Sequence, residues 1–262
     1  MASPEILVIH IMKTAGTSLR RMLVDGVGAE AIYPNDEDLH ERRKGWYPNP
    51  GAYPEHVREG RHHGARVLIG HVPYVLADEF EPRPQTVTLL REPVARAVSM
   101  LEHRRTRSKR FHGATYEDIL ADDEVVACHI RDYQTKMFAF DTLAEYRRTV
   151  NAPLEIDDAR FERALQRLEA VDALGVVERM DEARRAVAAV TGGPVGEEQR
   201  ANRGRYDRDA LSPGVRERLE ELTARDAAFY RRALELVDQR AGDTGSPGRR
   251  GLLSRLVGQR RR

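Results

Sequence analysis

A chain of 262 residues, 40% hydrophobic and 32% charged, has room for one large domain or two small ones and enough apolar residues to fill a core. Its 43 basic residues nearly cancel its 42 acidic ones, and the net charge of +1 excludes the basic excess of a dedicated nucleic-acid binder. One cysteine, Cys128, excludes an internal disulfide and a cysteine-based zinc site, and no apolar run approaches the roughly 20 residues of a membrane span.

The first element is a strand. Ile6-Leu7-Val8-Ile9 is a continuous apolar run of the kind a buried parallel strand needs. It is too short for a signal-peptide core and no basic residues precede it, so a soluble, cytoplasmic protein is expected. Lys13-Thr14-Ala15-Gly16-Thr17-Ser18 follows as a turn and helix start, with Leu19, Met22 and Leu23 at helical spacing. Residues 33–64 are polar, rich in proline, and carry the single tryptophan, Trp46; they read as a long functional loop. Residues 66–72 and 86–90 predict two more strands, the first running into His71 and the second into Arg91-Glu92-Pro93. Proline opens the next helix, whose apolar face is Val94, Ala97, Val98 and Leu101. Beyond Thr115 the pattern is helical, apart from a strand-like run over 173–177 and ending in helices over 213–239. Strands alternating with helices predict an α/β fold: three layers, P-loop-like, with a central parallel sheet flanked by helices. Residues 1–241 form the expected domain, and 242–262 a basic flexible tail with six arginines and one aspartate. The short apolar pieces of that tail leave a weak case for contact with an anionic lipid surface.

Two segments carry chemistry. A helix N-terminus directly after a strand presents unpaired N–H groups and positive dipole charge to an anion. Gly16 would let the backbone come close, Thr17 and Ser18 add hydroxyl donors, and Lys13 adds a point charge, one of only four lysines in the chain. The loop is not a Walker A sequence, because its lysine precedes the glycine. An ordinary turn with a surface lysine would look the same. The third strand offers a second anion site: Arg91 stands at its C-terminal end, where open α/β sheets bind ligands, and Ser99 lies one helical stretch further on. Arg96, between them, reads equally as a solvated side chain. Two such sites on neighbouring strand ends suit a nucleotide with phosphates at both ends of its ribose.

The segments running from Ile9 to Leu19 and from Leu90 to Ser99 resemble the 5′-phosphosulfate and 3′-phosphate motifs of sulfotransferases that use 3′-phosphoadenosine 5′-phosphosulfate (PAPS). The group is the one that includes heparan sulfate 2-O-sulfotransferase and many bacterial members, with H-I-P-K-T-A-G-T-[ST] and R-[DE]-P-x-x-R-x-x-S as its patterns. Met12 replaces the usual proline and leaves every polar group in place. Gly70-His71-Val72 is similar to the segment that carries the family's acceptor-activating histidine. Looser matches follow at 132–136, with Asp132 in place of asparagine, at 174–179, at Asn202-Arg203-Gly204-Arg205, which resembles an element closing over the nucleotide, and at 226–230. Clear similarity spans about residues 5–105 and diffuse similarity continues to about 240.

The resemblance implies PAPS as donor, PAP as product and no required metal. It implies that Lys13, Thr14, Ala15, Gly16, Thr17 and Ser18 hold the phosphosulfate, and that Arg91, Ser99, Arg203 and Arg205 bind the rest of the nucleotide. His71 is the implied general base and Lys13 the group that neutralises the leaving oxygen. A histidine suits that role, since its pKa lies near neutrality. The acceptor is a hydroxyl on a glycan, lipid or small natural product, with residues 33–64 the expected acceptor region. The chain begins almost at its first strand, so a bacterial cytoplasmic enzyme is expected. The alternatives are a nucleotide-dependent kinase, which a Walker A loop and a magnesium-binding aspartate at a strand end would have marked, and a non-catalytic nucleotide-binding protein. His62-His63 and the acidic runs at 122–124 and 157–158 lack metal-ligand spacing and read as loop residues and helix-start charges.

Overall fold

The four apolar runs read as strands all form strands in the computed structural model: β1 (Ile6–Ile9), β3 (Val67–Gly70), β4 (Gln85–Leu90) and β5 (Ala173–Val176). The structure describes residues 3–35, 57, 59–60, 62, 64–149, 152–193 and 211–244. A fifth strand, β2 (Ile32–Tyr33), is only two residues long and carries no periodicity by which it could have been expected. All pairings are parallel, in the order β2-β3-β1-β4-β5, so β3 and β4, consecutive in this described set, flank β1. This is the expected α/β architecture, a central parallel sheet between layers of helices.

Alternation along β1 assigns its two faces. Ile6 and Val8 pack with Leu19, Met22 and Leu23 of helix α1 (Gly16–Val27) and with Val187. Leu7 and Ile9 face the opposite layer, with Phe138, Leu168 and Phe229. Each of the three buried α1 side chains contributes about 1.5–3 kcal/mol, and their i, i+3, i+4 spacing is what keeps them on one stripe. Helix α2 (Pro93–Arg107) buries the expected Val94, Ala97, Val98 and Leu101 in a third cluster beside the sheet.

The opposite layer holds α4 (Tyr133–Ala139), α6 (Asp158–Glu169) and α9 (Ala224–Thr244), while α7 (Met180–Thr191) lies beside α1. Helices α3 (Tyr116–Leu120), α5 (Leu143–Thr149) and α8 (Pro213–Leu222) complete the set used below. Between α3 and α4 the chain makes a π turn over Val126–Ile130. The helical stretch expected over 213–239 is two helices. The Leu222 carbonyl is taken by the Asp132 N–H (3.0 Å), and the chain breaks at Thr223 before α9 resumes. Helix α9 then continues through Gly242 to Thr244, past the point where the tail was expected to start.

Asp122 and Asp157 cap helix N-termini, as their acidic runs suggested: they accept from the N–H groups of Val125 (2.9 Å) and Arg160 (2.8 Å). His62 departs from the expectation of a solvated loop residue and is buried. Arg203, Arg205, most of the 33–64 region and the tail beyond Thr244 lie outside the described residues.

Candidate active site

The C-terminal ends of three neighbouring strands meet at one edge of the sheet. His10 and the loop to Gly16 leave β1, His71 leaves β3, and Arg91 leaves β4. Register sets their level: Ile9 pairs with Gly70, and the His10 N–H donates to the Gly70 carbonyl at 2.9 Å.

The β1 loop has an unusual backbone. Lys13 (φ 70°) and Ala15 (φ 58°) both occupy the left-handed region that non-glycine residues avoid, at a cost of about 1–2 kcal/mol each. Backbone of this kind turns successive N–H groups to one side and forms a concavity for anions. Thr14 is fully buried and its hydroxyl donates to the Ile11 carbonyl (2.8 Å), so its side chain braces the loop. Ala15, the N-cap of α1, supplies no side-chain acceptor, which leaves the first-turn N–H groups of Gly16, Thr17 and Ser18 oriented for an anionic ligand. Thr17 is exposed and Ser18 half-buried.

His71 is held on the far side of that loop. Its Nδ1 lies 2.7 Å from the His10 carbonyl oxygen. A carbonyl only accepts, so Nδ1 carries the proton and Nε2 keeps the lone pair. The Tyr146 hydroxyl of α5 donates to the His71 carbonyl at 2.7 Å and fixes the backbone there.

Arg91 meets the loop from the β4 side: its Nη1 donates to the Lys13 carbonyl at 3.3 Å. The Gln134 side chain of α4 clasps its backbone, Oε1 accepting from the Arg91 N–H and Nε2 donating to the Arg91 carbonyl, each at 2.9 Å. Glu92 is committed to capping α2, accepting from Val94 (3.3 Å) and Ala95 (2.6 Å), with Pro93 opening the helix as expected. The Glu92 N–H in turn donates to Glu178 Oε1 (3.1 Å).

Cations gather around the loop. Burial holds the Lys13 ammonium below its usual pKa, and Arg91 and Arg107 push it further down. Burial likewise lowers Arg91, and lowers His103, on which Lys13, Arg104 and Arg107 also act. Ser99 is half-buried on α2 at spacings of four and eight residues from His103 and Arg107, hence on the helix face that looks toward Lys13. Mutual repulsion of this kind is relieved by an anion bound among the cations. Among the described residues no group of three or more histidine, cysteine, aspartate or glutamate side chains is arranged to hold a metal, and no helix is long and apolar enough to cross a membrane.

A buried ionic layer supports the site from below. Arg96 is fully buried, not solvated: its Nη2 donates to the carbonyls of His129 (2.8 Å) and Ile130 (3.2 Å), and its guanidinium lies 5.0 Å from the centre of the Tyr133 ring. Asp226, also fully buried, accepts from the N–H groups of Gln134 (3.2 Å) and Thr135 (2.7 Å) and from the Thr135 hydroxyl (2.8 Å). Its own N–H donates to Asp132 Oδ1 at 3.0 Å. Burial, then the neighbouring Asp226 carboxylate, push Asp132 up to about 6. A carboxyl whose folded pKa exceeds its unfolded value near 3.9 takes up protons on folding between those two values, so stability falls as pH rises from about 4 to about 6 and stays lower above. Asp132 also sits at φ 43°, a conformation asparagine tolerates well. Asp132→Asn keeps the acceptor oxygen and removes the charge. It is expected to raise stability at pH 7.5 by about 1–3 kcal/mol and to flatten that slope, as read from urea melts at pH 4.5 and 7.5.

Gln134, Glu178, Asp226 and His10 lie at the candidate site or beneath it, within segments that resembled the family's, and the sequence reading assigned none of them a role of its own. For His10 a signal existed: it stands at the same strand end as the loop it precedes.

No protein-family model matches the chain, and no curated protein sequence matches it. Among solved structures, the chain is similar to the crystal structure of a sulfotransferase from Alicyclobacillus acidocaldarius, with 20% identity and a TM-score of 0.50. The match covers 91% of this chain and 97% of that one, so the likeness in fold runs through nearly the whole length of both.

Proposed function

We propose that this chain is a sulfotransferase that uses PAPS and an acceptor hydroxyl, acting in the bacterial cytoplasm. One observation carries the proposal: the loop after β1 touches a histidine whose Nδ1 is held by a carbonyl on one side and a half-buried arginine on the other. The converging charges of Lys13, Arg91 and Arg107 fit a nucleotide bearing several anionic groups. When bound, PAPS supplies the sulfuryl group. The loop from Lys13 to Ser18 holds the 5′ end by backbone N–H groups, the Thr17 and Ser18 hydroxyls and the Lys13 ammonium. Arg91 and Ser99 hold the 3′-phosphate, with Arg203 and Arg205 closing over the nucleotide. His71 Nε2 accepts the acceptor's hydroxyl proton, and Lys13 donates to the oxygen on which charge develops. No metal is needed for these roles.

Residues 1–241 form the transferase domain, with 33–64 meeting a glycan, lipid or small-molecule acceptor and 242–262 a basic tail. The similar sulfotransferase fold supports this reading. A kinase reading is weakened by Glu92, the acidic residue nearest the end of β4, whose carboxylate is spent on the α2 cap. The test is discrimination at the 3′ position. The wild-type protein is expected to bind PAP at least about 10-fold more tightly than AMP, and Arg91→Ala to lose most of that preference, as read by calorimetry. Equal affinity for PAP and AMP in the wild-type protein would contradict the proposal.

A further inference from the structure

The His10 ring lies against Gly16 at the start of α1, on the side where a side chain at that position would stand. A Cβ built on Gly16 would lie 1.8 Å from His10 Nε2 and 2.2 Å from its Cε1, far inside any van der Waals contact. The same imidazole stacks on His71, with ring centroids 4.4 Å apart and planes inclined by 31°. His10 therefore touches the start of α1 with its ring, the base with the face of that ring, and the base's Nδ1 with its carbonyl oxygen.

We propose that His10 is a positioning residue for His71, and that position 16 is glycine because the His10 ring lies where a side chain would be. The loop that holds the anion and the base that takes the proton are then registered to one another through one residue. Glycine at 16 gives the His10 ring room to stack, and stacking fixes the plane in which His71 Nε2 is presented. Two imidazoles this close also resist carrying two charges together, so the pair takes up its protons in separate steps. Other titratable groups bear on the pair: His129 from the π turn, on which His71 acts electrostatically, and the Tyr146 hydroxyl from α5, which donates to the His71 carbonyl, while Lys13 lies three residues beyond His10 on the loop. They are common to every variant below. The catalytic consequence rests on the sulfotransferase reading; the placement of His71 does not.

Two measurements separate these. In the ligand-free protein, NMR titration of the His71 ring, assigned by its loss in His71→Gln, is expected to give a broadened two-step curve in the wild-type protein. His10→Phe, which keeps a ring of similar size without the charge, is expected to give a single step; His10→Gln serves if the phenylalanine variant does not fold. In the same spectra Gly16→Ala is expected to shift the His71 resonance, and to leave it in place in a His10→Ala background. In turnover, read as PAP release, Gly16→Ala should lower kcat about 100-fold alone and less than about 3-fold when added to His10→Ala. A His71 titration identical in wild-type, His10→Phe and His10→Gln proteins overturns the proposal, as does a Gly16→Ala loss of equal size in both backgrounds. Coupled titration in a protein that neither binds PAP nor releases it from PAPS would instead overturn the sulfotransferase reading and leave the placement of His71 by His10 standing.

Discussion

Replacing His71 with alanine is expected to slow sulfuryl transfer by about 10²–10⁴-fold while PAP binding stays within a few-fold of wild type. The size is that of removing a general base, the role proposed for His71, and the split between chemistry and binding follows from where the residue sits. His71 leaves β3 on the opposite side of the β1 loop from Arg91, and its contact with that loop is with the His10 carbonyl, not with the backbone from Lys13 to Ser18. Loss of the imidazole therefore leaves the donors around the nucleotide in place. Single-turnover transfer from PAPS and calorimetric titration with PAP, on the same preparation, would separate the two effects. A variant that bound PAP normally and transferred at the wild-type rate would show that another group takes the proton.

The largest expected effect on stability is at Asp226, far from the chemistry in sequence and directly beneath it in space. Asp226→Ala strands two backbone N–H groups and one hydroxyl that now donate to its carboxylate. It also removes the carboxylate that most favours the charged form of the fully buried Arg96, a form that burial disfavours. Leaving a buried donor without an acceptor costs about 1–3 kcal/mol, so with three donors stranded a total loss of about 3–5 kcal/mol is expected. For a domain of this size that corresponds to a fall in Tm of roughly 6–20 °C. Asp226→Asn, which keeps an acceptor oxygen, should fall between. Activity should suffer before the fold is lost, since Asp226 anchors the first turn of α4 and Gln134 on that turn clasps Arg91. A melting temperature within 2 °C of wild type for Asp226→Ala would mean that Arg96 finds its compensation elsewhere.

How much of this was legible beforehand follows from the physics of each part. β1, β3, β4 and β5 were readable because strands buried on both faces of a parallel sheet are continuous apolar runs. Lys13 and Arg91 stand at or shortly after two of these strand ends and could be named from position, while His71 was named from the resemblance of Gly70-His71-Val72. The apolar face of α2 was readable from its period, and its first turn from Glu92-Pro93. β2 was not, being two residues long. Neither was the Arg96–Asp226 layer: the partners are 130 positions apart, and a buried arginine has the same local pattern as a solvated one. The contact of Gly16 with the His10 ring was not legible either, because only the fold brings that ring back over the helix start.

A sulfotransferase of the proposed kind has a nucleotide site that prefers a 3′-phosphate and needs no metal. Calorimetric titration of the wild-type protein with PAP, PAPS, AMP and ATP, first without and then with Mg²⁺, tests that most directly. Tight binding of PAP and PAPS, unchanged by Mg²⁺ and at least about 10-fold tighter than AMP or ATP, is the predicted result. Binding of ATP that requires Mg²⁺, with PAP weak or absent, would contradict it and assign the anion loop to phosphoryl transfer.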